Sequence, residues 1–159
     1  MKLLISLIAA TLLAGCAGFS ADGGLGPAQQ AAQQRLANKD LVWARSDAER
    51  DGIDARVAEL LRAPLTADAA VQIALLNHRG LQASFHDLGI SEADLVQASR
   101  LPNPGFSFGK FKAGGEREIE RSFHFSLARL IAMPWLRDAA RLRFEAAQGA
   151  VAVRVLEHG

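Results

Sequence analysis

The sequence predicts a mainly α-helical protein with one β-hairpin, in which long coiled-coil-like helices flank two strands. A heptad repeat of apolar residues between Thr66 and Ser99 is typical of a coiled-coil helix. Pro102 and Pro104 then end this helix, because each lacks a backbone N–H and restricts the preceding residue to extended geometry. Two runs of alternating residues follow, one on each side of Gly114-Gly115, which is the pattern of a hairpin.

The helix predicted from Thr66 to Ser99 is the best-defined element. Thr66 is a favoured N-cap residue, and Asp68 places a carboxylate where the helix dipole favours it. We expect one continuous helix of roughly 50 Å within residues 65–101. Two sets of residues at seven-residue intervals form its seam: Ala74, Leu81, Leu88 and Leu95, and Val71, His78 and Phe85.

The first residues are typical of an exported protein. Lys2 precedes an apolar run from Leu3 to Leu13, which is as long as a signal-peptide core and too short to span a bilayer as a helix. We therefore expect residues 1–15 to be a signal peptide. Leu13-Ala14-Gly15-Cys16 resembles a bacterial lipobox, which implies diacylglycerol on the Cys16 thiol and a fatty acid such as palmitate on its amine. Ala17 after the cysteine resembles the signal for sorting to the outer membrane.

Other helices are predicted on both sides of the central elements. Residues 16–64 combine a Gly- and Ala-rich tether, from Cys16 to about Pro27, with helical stretches at Gln29–Leu36 and Asp47–Arg62. Pro134 is well placed as the first residue of a last helix, within residues 134–159. That helix carries apolar residues at spacings of three or four: Leu136, Ala140, Phe144, Ala147 and Val151.

The predicted hairpin, within residues 102–133, is apolar on one face. Phe106 and Phe108 alternate with small residues on the first strand. On the second run Phe123, Phe125 and Leu127 share one face, and Ser122, His124 and Ser126 share the other. Strands of about 9 to 10 residues with this pattern match a transmembrane barrel hairpin, and they also match an amphipathic hairpin of a soluble protein. Three charged residues have the same strand face as the phenylalanines: Lys110, Lys112 and Arg121. If the hairpin is in a membrane, these residues must lie near the headgroups, at the loop end.

Charge and cysteine content exclude two classes of protein. Without Lys2, 17 basic side chains face 17 acidic ones, so no basic excess indicates a nucleic-acid partner. One cysteine excludes a disulfide framework and leaves a free thiol, an intermolecular bridge or lipidation for Cys16.

The motif content indicates neither an enzyme nor a cofactor site. No spacing of serine, histidine and aspartate suggests a nucleophile with its base, and no glycine-rich phosphate loop is present. His78 and His86 are eight residues apart, so they do not form a close metal-binding pair on one helix face. Three acidic residues are expected on a solvated helix face: Asp87, Glu92 and Asp94.

The order of these parts resembles the TolC-like outer-membrane efflux factor family, in particular its lipidated members that work with RND-type pumps. The resemblance covers roughly Pro64 to Gln148. It is carried by "PLTADAAVQIALLNHRGLQA", by "LGISEADLVQASRLPNPGFSFG" and by "IAMPWLRDAARLRFEAAQ". Asn103-Pro104, preceded by Pro102, resembles the family's Asn-Pro where the chain passes into a strand, and Pro134 resembles its proline where the chain passes into a helix.

The resemblance implies a passive export duct and no enzymatic activity. Strands of three subunits would form an outer-membrane β-barrel, and the helices would form an α-helical tunnel across the periplasm of a Gram-negative bacterium. Substrate would arrive from an inner-membrane RND-type pump through a periplasmic adaptor. The resemblance also favours a lipid-facing position for five residues: Phe106, Phe108, Phe123, Phe125 and Leu127.

Members of this family are longer and contain two helix–hairpin–helix copies, so this chain is expected to be a fragment with one copy and a shortened last helix. The alternative belongs to another class of protein. It is a non-channel periplasmic lipoprotein, anchored through Cys16, whose coiled coil acts as an adaptor or spacer.

Overall fold

The structure is a computed structural model that describes residues 18–113 and 116–159. Residues 1–17, with the predicted signal peptide and Cys16, and the predicted turn at Gly114-Gly115 lie outside the described residues. Five helices are described: α1 (Gly26–Arg35), α2 (Asp47–Leu60), α3 (Ala67–Asn77), α4 (Arg79–Ala98) and α5 (Leu127–Glu157). Two antiparallel strands lie between α4 and α5: β1 (Gly105–Ala113) and β2 (Glu116–His124). The prediction of a mainly α-helical fold with a β-hairpin is confirmed.

The core is formed where α4 and α5 pack against each other with α1 beside them. The two long helices run antiparallel, because Ser84 lies near Arg154 and Leu88 lies near Val151. Phe85 is fully buried at the centre. The seam predicted by the heptads supplies much of this core, and its buried members are Leu81, Phe85 and Leu88. The apolar surface of α4 is therefore covered within the chain.

The prediction of a flexible tether from Cys16 to about Pro27 is wrong for the last residues of this segment, which fold against α5. Leu25 is buried in the core, and Gln148 Nε2 donates a hydrogen bond to the Gly24 carbonyl over 2.9 Å. Gly24 has a φ of +80°, and a Cβ there would lie 2.6 Å from the Phe144 ring, so only glycine fits this close approach.

A carboxylate closes the same turn. The Asp22 side chain accepts hydrogen bonds from the backbone N–H groups of Gly24 and Gly26, over 3.1 and 2.8 Å. Partial desolvation raises the pKa of Asp22, but these hydrogen bonds outweigh it and hold the pKa below its ordinary value. The turn is thus an ordered local structure that begins α1.

Two buried glutamines hold the extended segment before α2 on the surface of α3 and α4. Gln72 accepts from the Asp40 N–H and donates to the Asp40 carbonyl, both over 3.0 Å. Gln82 accepts from the Ala44 N–H over 3.0 Å and donates to the Val42 carbonyl over 2.7 Å. Each amide side chain therefore supplies hydrogen bonds to the backbone that a neighbouring strand would otherwise supply.

The prediction of one continuous helix within residues 65–101 is wrong, because the structure divides this helix at His78 into α3 and α4. His78 has extended backbone geometry, with a ψ of 113°. Its Nδ1 accepts a hydrogen bond from the Leu81 N–H over 3.2 Å, so the imidazole caps α4. Gly80 leaves room for the ring, since a Cβ there would lie 3.0 Å from His78 Cε1. The predicted cap at Thr66 is present, and Thr66 Oγ1 accepts from the Ala69 N–H.

The prediction that Pro134 opens the last helix is also wrong, since α5 begins at Leu127 and contains Pro134. Ser126 is the N-cap, and its Oγ accepts from the Arg129 N–H over 3.3 Å. The hairpin accordingly ends at His124, so Phe125 lies after β2 and Leu127 lies in α5. Proline has no N–H for the carbonyl four residues earlier, so α5 lacks one hydrogen bond at Leu130.

The prediction of a solvated position is wrong for Glu92, which is buried, whereas Asp87 and Asp94 are exposed. Glu92 is 5% exposed, and its Oε1 accepts a hydrogen bond from the Ser20 N–H over 2.6 Å. The residues before α1 therefore cover this part of α4.

Replacing Phe85→Ala is expected to lower the free energy of unfolding by about 3–5 kcal/mol, because it removes a fully buried ring from the core. Urea unfolding of the full chain, followed by far-UV circular dichroism, measures this change. Ile90→Ala, on the exposed side of the same helix, is the matched control and should change the free energy by about 0.5 kcal/mol or less. Equal losses in the two variants would contradict the position of the core.

Replacing Pro134→Ala is expected to raise the free energy of unfolding by up to about 3 kcal/mol, because alanine restores a helical hydrogen bond in the interior of α5. The same urea titration measures it. Pro64→Ala, in the irregular segment between α2 and α3, is the control and should give no gain. A neutral or destabilising effect of Pro134→Ala would instead indicate that the helix begins at this residue.

Candidate functional site

The hairpin is the candidate site because it is the element whose apolar residues remain outside the core. Its register pairs Phe106 with Phe123, Phe108 with Arg121 and Lys112 with Arg117. Side chains two residues apart on a strand share a face. One face, called here the phenylalanine face, therefore carries Phe106, Phe108, Lys110 and Lys112 of β1 and Phe123, Arg121, Ile119 and Arg117 of β2.

The opposite side, called here the serine face, is small and polar from Gly105 to Gly109, and nearer the loop it carries Phe111, which is 55% exposed. Ser107 and Ser122 lie directly opposite each other, and their hydroxyl groups are hydrogen-bonded. Gly109 faces Glu120, and Gly105 faces His124. His124 thus lies on the face opposite Phe123, as its alternation with the phenylalanines predicted.

The segment with the two prolines leads the chain from α4 into β1. The α4 helix ends at Ala98 with Ser99 as its C-cap, and the strand starts at Gly105. Pro102, Asn103 and Pro104 lie between them in irregular structure. Because proline cannot continue the helix, its position explains why the chain leaves helical geometry here.

The phenylalanines on this hairpin are exposed. Phe106 is 70% exposed, Phe123 is 68% exposed and Phe108 is 52% exposed. Among the described residues, the strands pair with each other and have no comparable contact with a helix. A two-stranded hairpin alone is marginally stable in water, and a large exposed apolar patch marks a contact surface. The phenylalanine face therefore requires a partner that covers it.

The exposed apolar surface continues along the chain into the first turns of α5. Phe125 follows β2 and is partly exposed, and Leu127 and Ile131 are exposed one helical turn apart. Trp135 is 69% exposed one turn further on. Sequence reasoning missed this extension because it placed the helix start at Pro134; the spacing of four residues from Leu127 to Trp135 was the available signal.

The charged residues of the phenylalanine face extend further from the loop than predicted. Lys112 and Arg117 form the rung next to Ala113 and Glu116, beside the loop. Lys110 lies two residues further along β1, and its Nζ is 5.7 Å from the centre of the Phe108 ring. Arg121 lies opposite Phe108, near the middle of the hairpin. Its expected position at the loop end is therefore corrected, because the register places it four residues beyond Arg117.

His78 and His86 both contact other residues of the fold. His78 caps α4, and its ring lies 4.3 Å from that of His158. His86 contacts Trp43 edge to face, at 5.5 Å between ring centres. Within residues 18–113 and 116–159 no group of three or more His, Cys, Asp or Glu side chains is close enough to hold a metal ion. In the same ranges no helix is long and apolar enough to cross a membrane.

An open hollow lies between the first described residues and α4. It has a volume of about 470 Å³ and is open to solvent. Trp43 forms one wall and approaches Gly89, where a Cβ would lie 2.5 Å from the indole. Its walls are mainly apolar, with Phe19, Trp43 and Ile90 among the lining residues.

Replacing Phe106→Ser together with Phe123→Ser is expected to leave the free energy of unfolding of the helices within about 0.5 kcal/mol, because neither ring contacts the core. The same change should reduce the detergent bound per chain, measured by light scattering after size-exclusion chromatography. The control pair Leu61→Ser and Ile90→Ser removes exposed apolar residues elsewhere and should retain the detergent. Equal loss of detergent from both pairs would contradict a special role of the phenylalanine face.

Comparison of the chain with protein-family models, with curated proteins and with solved structures gives no match. The functional conclusion therefore depends on the chain's own residues, above all on the exposed phenylalanine face of the hairpin and on the helices that hold it.

Proposed function

We propose that this chain is a subunit of an outer-membrane channel in a tripartite efflux system, as a passive export duct. The hairpin would insert into the outer membrane with its phenylalanine face toward lipid. The helices α4 and α5 would extend into the periplasm as part of a tunnel wall. Substrate would be delivered by an RND-type pump through a periplasmic adaptor, so no bond is made or broken and no catalytic group is needed.

One observation supports this proposal above the others: the phenylalanines of the hairpin lie outside the hydrophobic core, whereas the helices form a core of their own. Phe106, Phe108 and Phe123 are exposed, while the apolar seam of α4 is buried inside the chain. Insertion of this face into lipid is favourable in free energy, because it transfers apolar surface out of water. Each strand has nine residues, close to the 9–11 residues that a tilted transmembrane strand needs.

The serine face supports a position toward an aqueous lumen. Ser107, Ser122 and His124 are small or polar, and strands of a membrane barrel alternate apolar outside with polar inside. The two outer strand edges have unpaired backbone groups that lipid cannot satisfy, so the barrel must be closed by other hairpins. The hairpins of a homotrimer would contribute to this closure, in agreement with the resemblance to TolC-like efflux factors.

Two groups fit the boundaries of the membrane. Trp135 is exposed in the third turn of α5, and tryptophan is enriched at membrane–water interfaces. Cys16 resembles the acylation site of lipoproteins and would anchor the start of the chain in the same membrane.

The alternative function is a periplasmic lipoprotein that acts through a coiled coil as an adaptor or spacer. It requires an apolar helix seam that is free to bind a partner. In this chain the seam residues Leu81, Phe85 and Leu88 are buried against the helices of the same chain, so the predicted seam of α4 is not free for a partner, although α5 exposes Leu142 and Val153.

Labelling of introduced thiols tests the proposal. Phe108→Cys on the phenylalanine face is expected to react slowly with a polar maleimide in outer-membrane fragments, because lipid covers it. Leu61→Cys, at the exposed end of α2, should react readily in the same fragments. The measurement is the fraction of chain that gains the label with time.

The wild-type chain is the control for Cys16, whose thiol should take no label because diacylglycerol occupies it. Equal labelling of Phe108→Cys and Leu61→Cys, together with a Cys16→Ser chain that is soluble without detergent, would contradict the channel subunit and favour the lipoprotein spacer.

A further inference from the structure

Four cations share the face of the hairpin that carries the exposed phenylalanines. Lys110 and Lys112 lie on β1, and Arg117 and Arg121 lie on β2. In the sequence of β2 these arginines alternate with glutamates, and the register places Glu120 opposite Gly109, on the serine face. The phenylalanine face is therefore aromatic near the helices and cationic toward the loop, and these four side chains are called here the cationic end.

The register brings like charges together. Lys112 and Arg117 are directly opposite each other, and like charges in that position destabilise a strand pair. Lys110 is opposite Ile119, which makes it a diagonal neighbour of both arginines. An anion between these side chains would remove the repulsion, so the arrangement is that of a site that binds negative charge.

The cationic end also has the shape of a shallow binding surface. Lys110, Lys112 and Arg117 line an open hollow of about 290 Å³ together with Phe111 and Ile119. The Lys110 ammonium lies 5.7 Å from the Phe108 ring centre, so its aliphatic stem runs along apolar surface. The two guanidinium groups can each donate paired hydrogen bonds to phosphate oxygens.

We propose that the cationic end binds the phosphate groups of anionic lipid headgroups in the outer membrane. This inference depends on the proposed insertion of the phenylalanine face into lipid. The aromatic part of the face would then lie among acyl chains, and the four cations would lie toward the headgroups at the loop side. Arg121, nearest the middle of the hairpin, would extend its side chain toward the same headgroup level.

Charge complementarity selects this partner. Each basic residue near a membrane surface gains roughly fivefold in affinity from anionic lipid. The strands also contain three glutamates at alternate positions, so the cationic end arises from the separation of charge between the two faces and not from a general basic surface. Its position on the same face as the phenylalanines fits a ligand that is apolar at one end and phosphorylated at the other.

Vesicle flotation of the purified full chain tests the inference. The vesicles contain phosphatidylcholine alone or equal parts of phosphatidylcholine and phosphatidylglycerol, near physiological ionic strength. Wild type is expected to bind both and to prefer the anionic vesicles by at least about tenfold. The variant with Lys110→Gln, Lys112→Gln, Arg117→Gln and Arg121→Gln is expected to bind neutral vesicles as wild type does and to lose the preference.

Two further variants separate charge from folding. The control with Arg35→Gln, Arg62→Gln, Arg79→Gln and Arg143→Gln removes the same number of exposed cations from the helical part and should keep the preference. The variant with Lys110→Arg and Lys112→Arg keeps the charge and should also keep it. Circular dichroism verifies that all variants have the same helical content.

Each other outcome overturns the inference. Binding to both vesicles without an anionic preference, or equal loss of preference in the control variant, would refute the lipid phosphate site and leave the proposed insertion standing. Failure of wild type to bind either vesicle would refute both. If inorganic phosphate abolishes the preference where chloride of equal ionic strength does not, the site binds free phosphate and the lipid assignment is wrong.

Discussion

The antiparallel packing of α4 on α5 is the interaction on which the rest of the structure depends. Phe85 and Leu88 of α4 are buried with Val151 and Val155 of α5, and this contact brings both ends of the hairpin to the same end of the helix pair. Residues from the start of the chain add to it, since Leu25 enters the same core. Removing the contact would separate the two helices that hold the ends of the hairpin.

The apolar seam of α4 is used in the helical core, and among the described residues no helix covers the phenylalanines of the hairpin. Its face divides along its length into aromatic residues, from Phe106 and Phe123, and cations toward Lys112 and Arg117. A soluble hairpin with a core would show the reverse, with its phenylalanines covered by a helix. The proposed membrane insertion and the proposed binding of lipid phosphates both depend on one feature, a sheet face that no described helix covers.

The irregular segments are ordered by single polar side chains that replace missing secondary structure. Gln72 and Gln82 hydrogen-bond the backbone of the extended segment, Asp22 closes the turn before α1, and His78 caps α4. Within residues 18–113 and 116–159, no buried side-chain nitrogen or oxygen lacks a hydrogen-bond partner. Such contacts allow the chain before α3 to lie on the helices at little cost in unsatisfied backbone groups.

The sequence by itself determined the features that depend on neighbouring residues. The heptads predicted the buried face of α4, the prolines at 102 and 104 predicted the passage from helix to strand, and alternation predicted the two faces of the hairpin. The tertiary structure decided what depends on distant partners. The break at His78 needs the imidazole to cap Leu81, the burial of Glu92 needs the N–H of Ser20, and the fold of Gly24 needs Phe144 and Gln148. The early start of α5 was missed although its signal is local: Ser126 caps the helix, and Pro134, which the sequence offered as its first residue, lies inside it.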